Sequence, residues 1–157
     1  FAKNGRGLLQ DMLANEEKDS RRMITKSEHS AAFIPICARY PYETWIMPRR
    51  PVRYLYELTP EELRDLAVTL KTQLMKQDGL WNKPFPYLLA LFQAPTDGGK
   101  HEGVHAHFQT FPPLRTSDKL KYLAGTEIAA GMFVNDSQPE EKAAELRDVK
   151  IDQGWKS

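Results

Sequence analysis

A single cysteine, Cys37, stands among 157 residues. One thiol excludes an internal disulfide framework and any metal site built from several cysteines of this chain. It fits a reducing compartment, and so a cytoplasmic protein. Long hydrophobic runs are also missing: nothing approaches the roughly 20 apolar residues that cross a bilayer. The opening "FAKNGRGLLQDMLANEEKD" turns charged too early to be a signal peptide. Charge of one sign is not in excess either. The net charge is +1 and the basic residues are scattered, so the chain has no general pull toward nucleic acid. Repeats and low-complexity segments are absent. What remains is 41% hydrophobic and 27% charged, the balance of a globular chain whose length fits one domain over residues 1–157.

Leu8, Leu9, Met12 and Leu13 recur at helical spacing, and "ANEEKDSRR" carries that helix into solvent. From Arg22 the period changes to short strands, "RMITKSE", "SAAFIPICA" and "ETWIM", the last closed by "PRRP". Thr59-Pro60-Glu61-Glu62 is a capping box with proline at the first helical position. It predicts a helix over Pro60–Gln77, with Leu63, Leu66, Ala67, Leu70 and Leu74 as its apolar stripe and "DG" at 78–79 as its stop. "FPYLLALFQAP" reads as a strand apolar enough to lie centrally in a sheet, and "VHAHFQTF" as its antiparallel return across the turn-rich "TDGGKHEG". Ser137-Gln138-Pro139-Glu140 repeats the capping-box pattern ahead of a last helix, "EEKAAELRDV". After the first helix, the order β-β-β-α-β-β-α predicts an α+β fold around an antiparallel sheet.

Chemistry concentrates in "GVHAHFQTFPP", residues 103–113. Strand side chains alternate, so His105, His107 and Gln109 share one face. Three readings stay open on spacing. The three can be the wet side of a half-buried strand, with Val104, Ala106 and Phe108 inward. The two imidazoles can start a zinc or iron site, completed by His101 or Glu102 in the preceding loop. Or His107 can attack phosphorus to form a phospho-imidazole, with Gln109 donating to phosphate oxygens. Elsewhere the readings are plainer. "PRRPVR" (48–53) is a solvated loop, Trp45, Trp81 and Tyr87 are packing residues, and Cys37 lies inert in an apolar strand. His29 sits exposed at a strand break, and "DGGK" is too short for a phosphate loop.

In order along nearly the whole chain, "NGRGLLQDML", "SEHSAAFIPICARYPYETWIMPRRPV", "ELTPEELRDLA", "FPYLLALFQAP", "HAHFQTF", "KLKYLAGTEIAAGMFVND" and "PEEKAAELRDV" resemble one family. It is the galactose-1-phosphate uridylyltransferases of the histidine-triad superfamily, and the likeness is to their C-terminal half. The resemblance implies a histidine-triad-like sheet with packed helices. It implies conversion of UDP-glucose and galactose-1-phosphate to glucose-1-phosphate and UDP-galactose through a uridylylated histidine. The family's nucleophile, in an HPHGQ motif, and its cysteine/histidine zinc site belong to an N-terminal half that would precede this chain. "HAHFQ" therefore has the spacing of the reacting motif and the place of its non-reacting sister, so this piece should be inactive by itself.

The resemblance also assigns residues. In the sister half, His105 and His107 match a pair that holds a structural iron or zinc with a third histidine and a glutamate from the other half. Where that third histidine belongs, this chain has Phe92, which cannot ligate and weakens the site. Lys121, Tyr122, Thr126, Glu127 and Asn135 match positions that contact the sugar and phosphates, partly across a dimer interface. An ammonium neutralises phosphate, and a carboxylate accepts from sugar hydroxyls. The implied partners are a nucleotide sugar, a hexose-1-phosphate and a homodimer with the N-terminal half, without nucleic acid or membrane. Two rivals remain: a self-sufficient histidine-triad nucleotide transferase or hydrolase using His107, and a non-catalytic, degenerate binding module.

Overall fold

Helix α1 (Leu8–Asp19) stops at Ser20, which takes the left-handed conformation (φ 63°) and returns its N–H to the Glu16 carbonyl. The computed structural model describes residues 5–152 and 154. After α1 come β1 (Met23–Lys26), β2 (Ser30–Phe33), β3 (Thr44–Pro48), α2 (Pro60–Leu80), β4 (Leu88–Phe92), β5 (His107–Phe111), α3 (Gly125–Ala130) and α4 (Pro139–Asp148). The strands form one antiparallel sheet in the order β1-β2-β3-β5-β4. The α+β order predicted from the sequence holds, with the six-residue α3 added inside a stretch of no clear periodicity.

Strand alternation feeds two cores. Ala31, Phe33, Trp45 and Met47 face Leu13 and the partly buried Leu9 and Met12 of α1. Ala32, Ile46 and Ala106 face Leu66 of α2, and Ile24 and Ile34 meet Ala143 and Leu146 of α4. Helices thus cover both faces of β1, β2 and β3. Among the described residues, no helix is long and apolar enough to cross a membrane.

Helix α2 departs from its predicted form. Thr59 caps it as the box requires, accepting from the Glu62 N–H while Glu62 accepts from the Thr59 N–H. The helix then runs past Gln77 through Asp78 and Gly79 to Leu80. Gly79 serves close packing there, since a Cβ would lie 2.7 Å from Val149 Cγ1. The buried row is also different. Leu66 is buried, but Leu63 and Ala67 face out, and Thr69, Gln73, Lys76 and Gln77 face in. Hydrogen bonds hold that polar face to the sheet. Ser30 Oγ donates to Thr69 (2.7 Å), Gln73 to Thr44 Oγ1 (3.1 Å) and Gln77 to Thr110 Oγ1 (3.3 Å). Lys76 donates to the carbonyls of Leu146, Arg147 and Val149, closing the end of α4. An apolar stripe locates a helix face only when the facing surface is apolar, and here it carries hydroxyls.

Three further expectations are corrected. Strand β4 is an edge, with Leu88, Leu89, Leu91 and Phe92 exposed. A continuous apolar run says that both faces want cover, not that this chain supplies it. At α4 the N-cap is Gln138, without a side-chain bond. Ser137 Oγ donates instead to Asn135, and the carboxylate of Glu140 accepts from Arg22. Cys37 lies in the turn after β2 and is exposed.

Arg22 joins three elements at the start of β1. Its guanidinium, buried, meets Glu16 of α1 at 2.8 Å and Glu140 of α4 at 2.5 Å. Replacing it by methionine (Arg22→Met) strands the buried Glu16 carboxylate, and urea unfolding should show a loss of about 3–5 kcal/mol. Thr59→Ala, which removes one cap, should cost about 1 kcal/mol in the same measurement.

Candidate functional site

His105, His107 and Gln109 are not the wet side of the sheet. They are 1%, 5% and 6% exposed. Ala106 and Phe108 pack toward α2 as alternation predicts, so both faces of this segment are covered. Polar atoms buried in this way are as a rule hydrogen-bonded. Glu43, 1% exposed, sets the pattern. Its carboxylate accepts from the Arg39 backbone N–H (2.7 Å), the Arg39 guanidinium (3.2 Å) and Trp45 Nε1 (3.0 Å). The same guanidinium donates to Gln109 Oε1 at 3.1 Å. Arginine has only donors, so the oxygen of Gln109 must face it and the amide NH2 must face the other way. That NH2 donates to His107 Nε2 at 2.8 Å. His107 is then protonated on Nδ1, which donates to the His105 carbonyl at 2.8 Å. One buried acid thereby fixes an amide orientation and an imidazole tautomer two residues apart.

His105 donates from Nε2 to the Pro48 carbonyl at 2.8 Å, while its Nδ1 is buried with no hydrogen-bond partner. Burial pushes the His105 imidazole down to about 4 and lowers that of His107. Both rings are therefore neutral near pH 7. The His107 ring lies between two aromatics: Phe92 at 5.2 Å and 14° between planes, and Trp45 at 5.3 Å and 34°. With its lone pair engaged and its faces covered, His107 is held, not poised to attack. The donor set also does not fit a metal. Among the described residues, no three of His, Cys, Asp and Glu converge on a point that could hold an ion. His101 turns to Asp97 at 2.5 Å, and Glu102 is exposed in the loop.

The second group of predicted residues lies on an arm that includes α3. Lys121 and Glu127 form a buried ion pair at 2.8 Å. Lys121 also donates to the carbonyls of Arg39 and Val134. Glu127 accepts from the N–H groups of Ala124 (2.6 Å) and Val134 (3.1 Å), so it starts α3 and closes the arm on itself. These bonds, the Lys121 hydrogen bond foremost, hold the Glu127 carboxyl down to about 2. Asn135 donates to the Ala38 carbonyl (3.0 Å) and accepts from Ser137. Tyr122, 83% exposed, and Thr126 project outward. Arg115, Lys121, Tyr122, Glu127, Val134 and Asp136 are among the residues lining a hollow of about 170 Å³.

Arg39 is the residue sequence reasoning missed. Its guanidinium serves Gln109 and its carbonyl serves Lys121, so the histidine strand and the arm meet at one residue. Phe111 and Phe133 lie under the cation at 4.6 and 5.6 Å. The available signal was thin: an arginine and a glutamate four apart in "ARYPYE", outside any helix. The "PRRPVR" segment proves to be anchored, not merely solvated. Arg49 pairs with Glu17 (2.7 Å), Arg50 with Glu62 (2.6 Å) and Arg53 with Glu57 (2.7 Å).

Comparison with known proteins gives this geometry a context. The family model described as galactose-1-phosphate uridyl transferase, C-terminal domain, matches residues 1–156. The galactose-1-phosphate uridylyltransferase of Thermotoga maritima is 37% identical over 138 residues, which are 87% of this chain and 43% of that protein. A solved uridylyltransferase structure superposes with a TM-score of 0.85 at 35% identity, covering 94% of this chain and 46% of the other. A histidine-triad-like protein of Bartonella henselae, 14% identical, covers 90% of this chain and 97% of its own at a TM-score of 0.59, which shows the shared fold. The chain spans about two fifths of the length of the curated relatives it matches. It belongs to the galactose-1-phosphate uridylyltransferase family and corresponds to that family's C-terminal domain.

Proposed function

We propose that this chain is the substrate-contacting half of a cytoplasmic hexose-1-phosphate uridylyltransferase. The reaction exchanges UDP-glucose and galactose-1-phosphate for glucose-1-phosphate and UDP-galactose. The observation that carries the reading is the family match over residues 1–156, together with the 94% coverage by a solved uridylyltransferase. The nucleophilic histidine and its zinc belong to the N-terminal half, and the working unit is a homodimer of the joined halves. The exposed apolar edge of β4 supports a seat for that half, since its leucines are left without cover.

Within this half, the arm does the work. Lys121, Glu127 and Asn135 spend their donors and acceptors on the backbone and on each other, so they set its shape. Tyr122 and Thr126 are the groups left facing outward, with hydroxyls suited to phosphate and sugar oxygens. The hollow's charges are paired, Lys121 with Glu127 and Arg115 with Asp136, so a ligand there is met by hydrogen-bonding groups and not by a net field.

Labelled UDP-glucose tests the division of labour. The isolated chain should form no acid-labile adduct and no UDP-galactose, whereas the chain joined to an HPHGQ-bearing half should form both. An adduct on the isolated chain that disappears with His107→Asn refutes the proposal. In the joined enzyme, Tyr122→Ala should weaken UDP-hexose binding about tenfold by calorimetry, the worth of one hydrogen bond to a charged group at about 1.5 kcal/mol. Acid should loosen the arm. The Glu127 carboxyl is depressed from its ordinary 4.5 to about 2, so its stabilisation is complete above pH 4.5 and is lost as pH falls through about 2. Hydrogen-exchange protection of the Ala124 and Val134 amides, corrected for intrinsic rates, should fall in that window.

A further inference from the structure

We propose that in this chain an aromatic stack across three strands takes the place of the family's structural metal, making the His105/His107 centre metal-independent. The inference stands on the centre's own geometry and does not depend on the uridylyl-transfer reading.

Phe92 is the directly paired neighbour of His107 across β4 and β5. Neighbouring strands lie about 4.8 Å apart, so flat rings on directly opposed residues stack face to face with little adjustment. Phe92 and His107 do so at 5.2 Å and 14°. Trp45 of β3 is paired with Gln109, diagonal to His107, and covers the opposite face of the imidazole at 5.3 Å. The stack therefore ties β3, β5 and β4 together from the middle ring outward. A cation held at positions 92 and 107 would tie β4 to β5, which is the part of this task that falls between those two strands.

The nitrogens tell the same story. A metal needs lone pairs aimed at one point. His107 Nε2 already accepts from Gln109, and that amide cannot turn round without bringing its NH2 against Arg39. His107 Nδ1 carries a proton given to the His105 carbonyl. Binding an ion at His107 would break a chain of bonds that ends at the buried Glu43 carboxylate. His105 Nδ1 is an unpartnered buried lone pair, but one imidazole nitrogen does not make a chelate. Phenylalanine at position 92 thus contributes a packing surface and removes a ligand in one substitution.

The test compares the protein with Phe92→His/Gln109→Ala, which restores a ligand and frees His107 Nε2, reading metal per chain after equilibration with Zn²⁺ or Fe²⁺ and removal of excess. The double variant should gain one equivalent over the unsubstituted protein and over Gln109→Ala, and adding His107→Gln should remove that gain. Long-range ¹H–¹⁵N spectra of the unsubstituted protein supply a reading that no variant can compromise. His107 should show a neutral ring protonated on Nδ1, unchanged when Zn²⁺ or a chelator is added. A metal equivalent in the unsubstituted protein that vanishes with His107→Gln, or a shift of the His107 nitrogens on adding Zn²⁺, overturns the proposal. Failure of Phe92→His/Gln109→Ala to gain an equivalent over Gln109→Ala overturns the assignment of Phe92 as the replacing group.

Discussion

A carboxylate sealed in a protein interior needs a cation and several donors, and Glu43 obtains both from Arg39 and Trp45. Most of the candidate site follows from that one requirement. Arg39 is drawn over Glu43, and the same terminal nitrogen that donates to Glu43 donates also to Gln109. Its backbone carbonyl is left to receive Lys121, which brings the arm against the sheet. Without the acid, the arginine is left with the Gln109 bond and its ring contacts to Phe111 and Phe133. Gln109, His107 and the arm would then depend on a less firmly held partner.

The interior is polar on both sides of the sheet, and the two networks act in the same way. On one face the chain runs from Glu43 to the His105 carbonyl. On the other, Thr69, Gln73 and Gln77 of α2 bond to Ser30, Thr44 and Thr110 of the strands. An apolar core sets register by which side chains each strand buries, and a hydrogen bond made in a dry environment narrows it further. Thr110 shows the consequence. It receives Gln77 from the helix above and pairs with Thr44 beside it, so β5 cannot slip without leaving polar atoms unsatisfied.

Two exposed apolar regions adjoin this ordered centre. Leu88 of β4, Tyr87, Tyr40, Phe111, Pro86 and Pro113 line a hollow of about 260 Å³. Tyr40 also contacts Phe133 of the arm, 6.4 Å away between ring centres. Edge strand and arm therefore share one continuous apolar border, with Arg39 beneath it over the Phe111 ring. A partner docking along β4 would press on the same side chains that seat the arm.

Periodicity, caps and turn residues determined the strands, the start of α2, the antiparallel pairing of β4 with β5 and the common face of His105, His107 and Gln109. Each of those depends on neighbours close in sequence. Where sequence reasoning failed, the deciding partner lay far away: Thr44 and Thr110 for the polar face of α2, Arg22 for Glu140, and Val149 for Gly79. The role of "HAHFQ" was undecidable along the chain, because the same alternation serves a wet face, a ligand pair or a nucleophile. Only the folded backbone brings Glu43, Arg39, Trp45 and Phe92 around His107. Whether an imidazole lone pair is free depends on which groups surround it in space, and that is settled by strand order and side-chain packing.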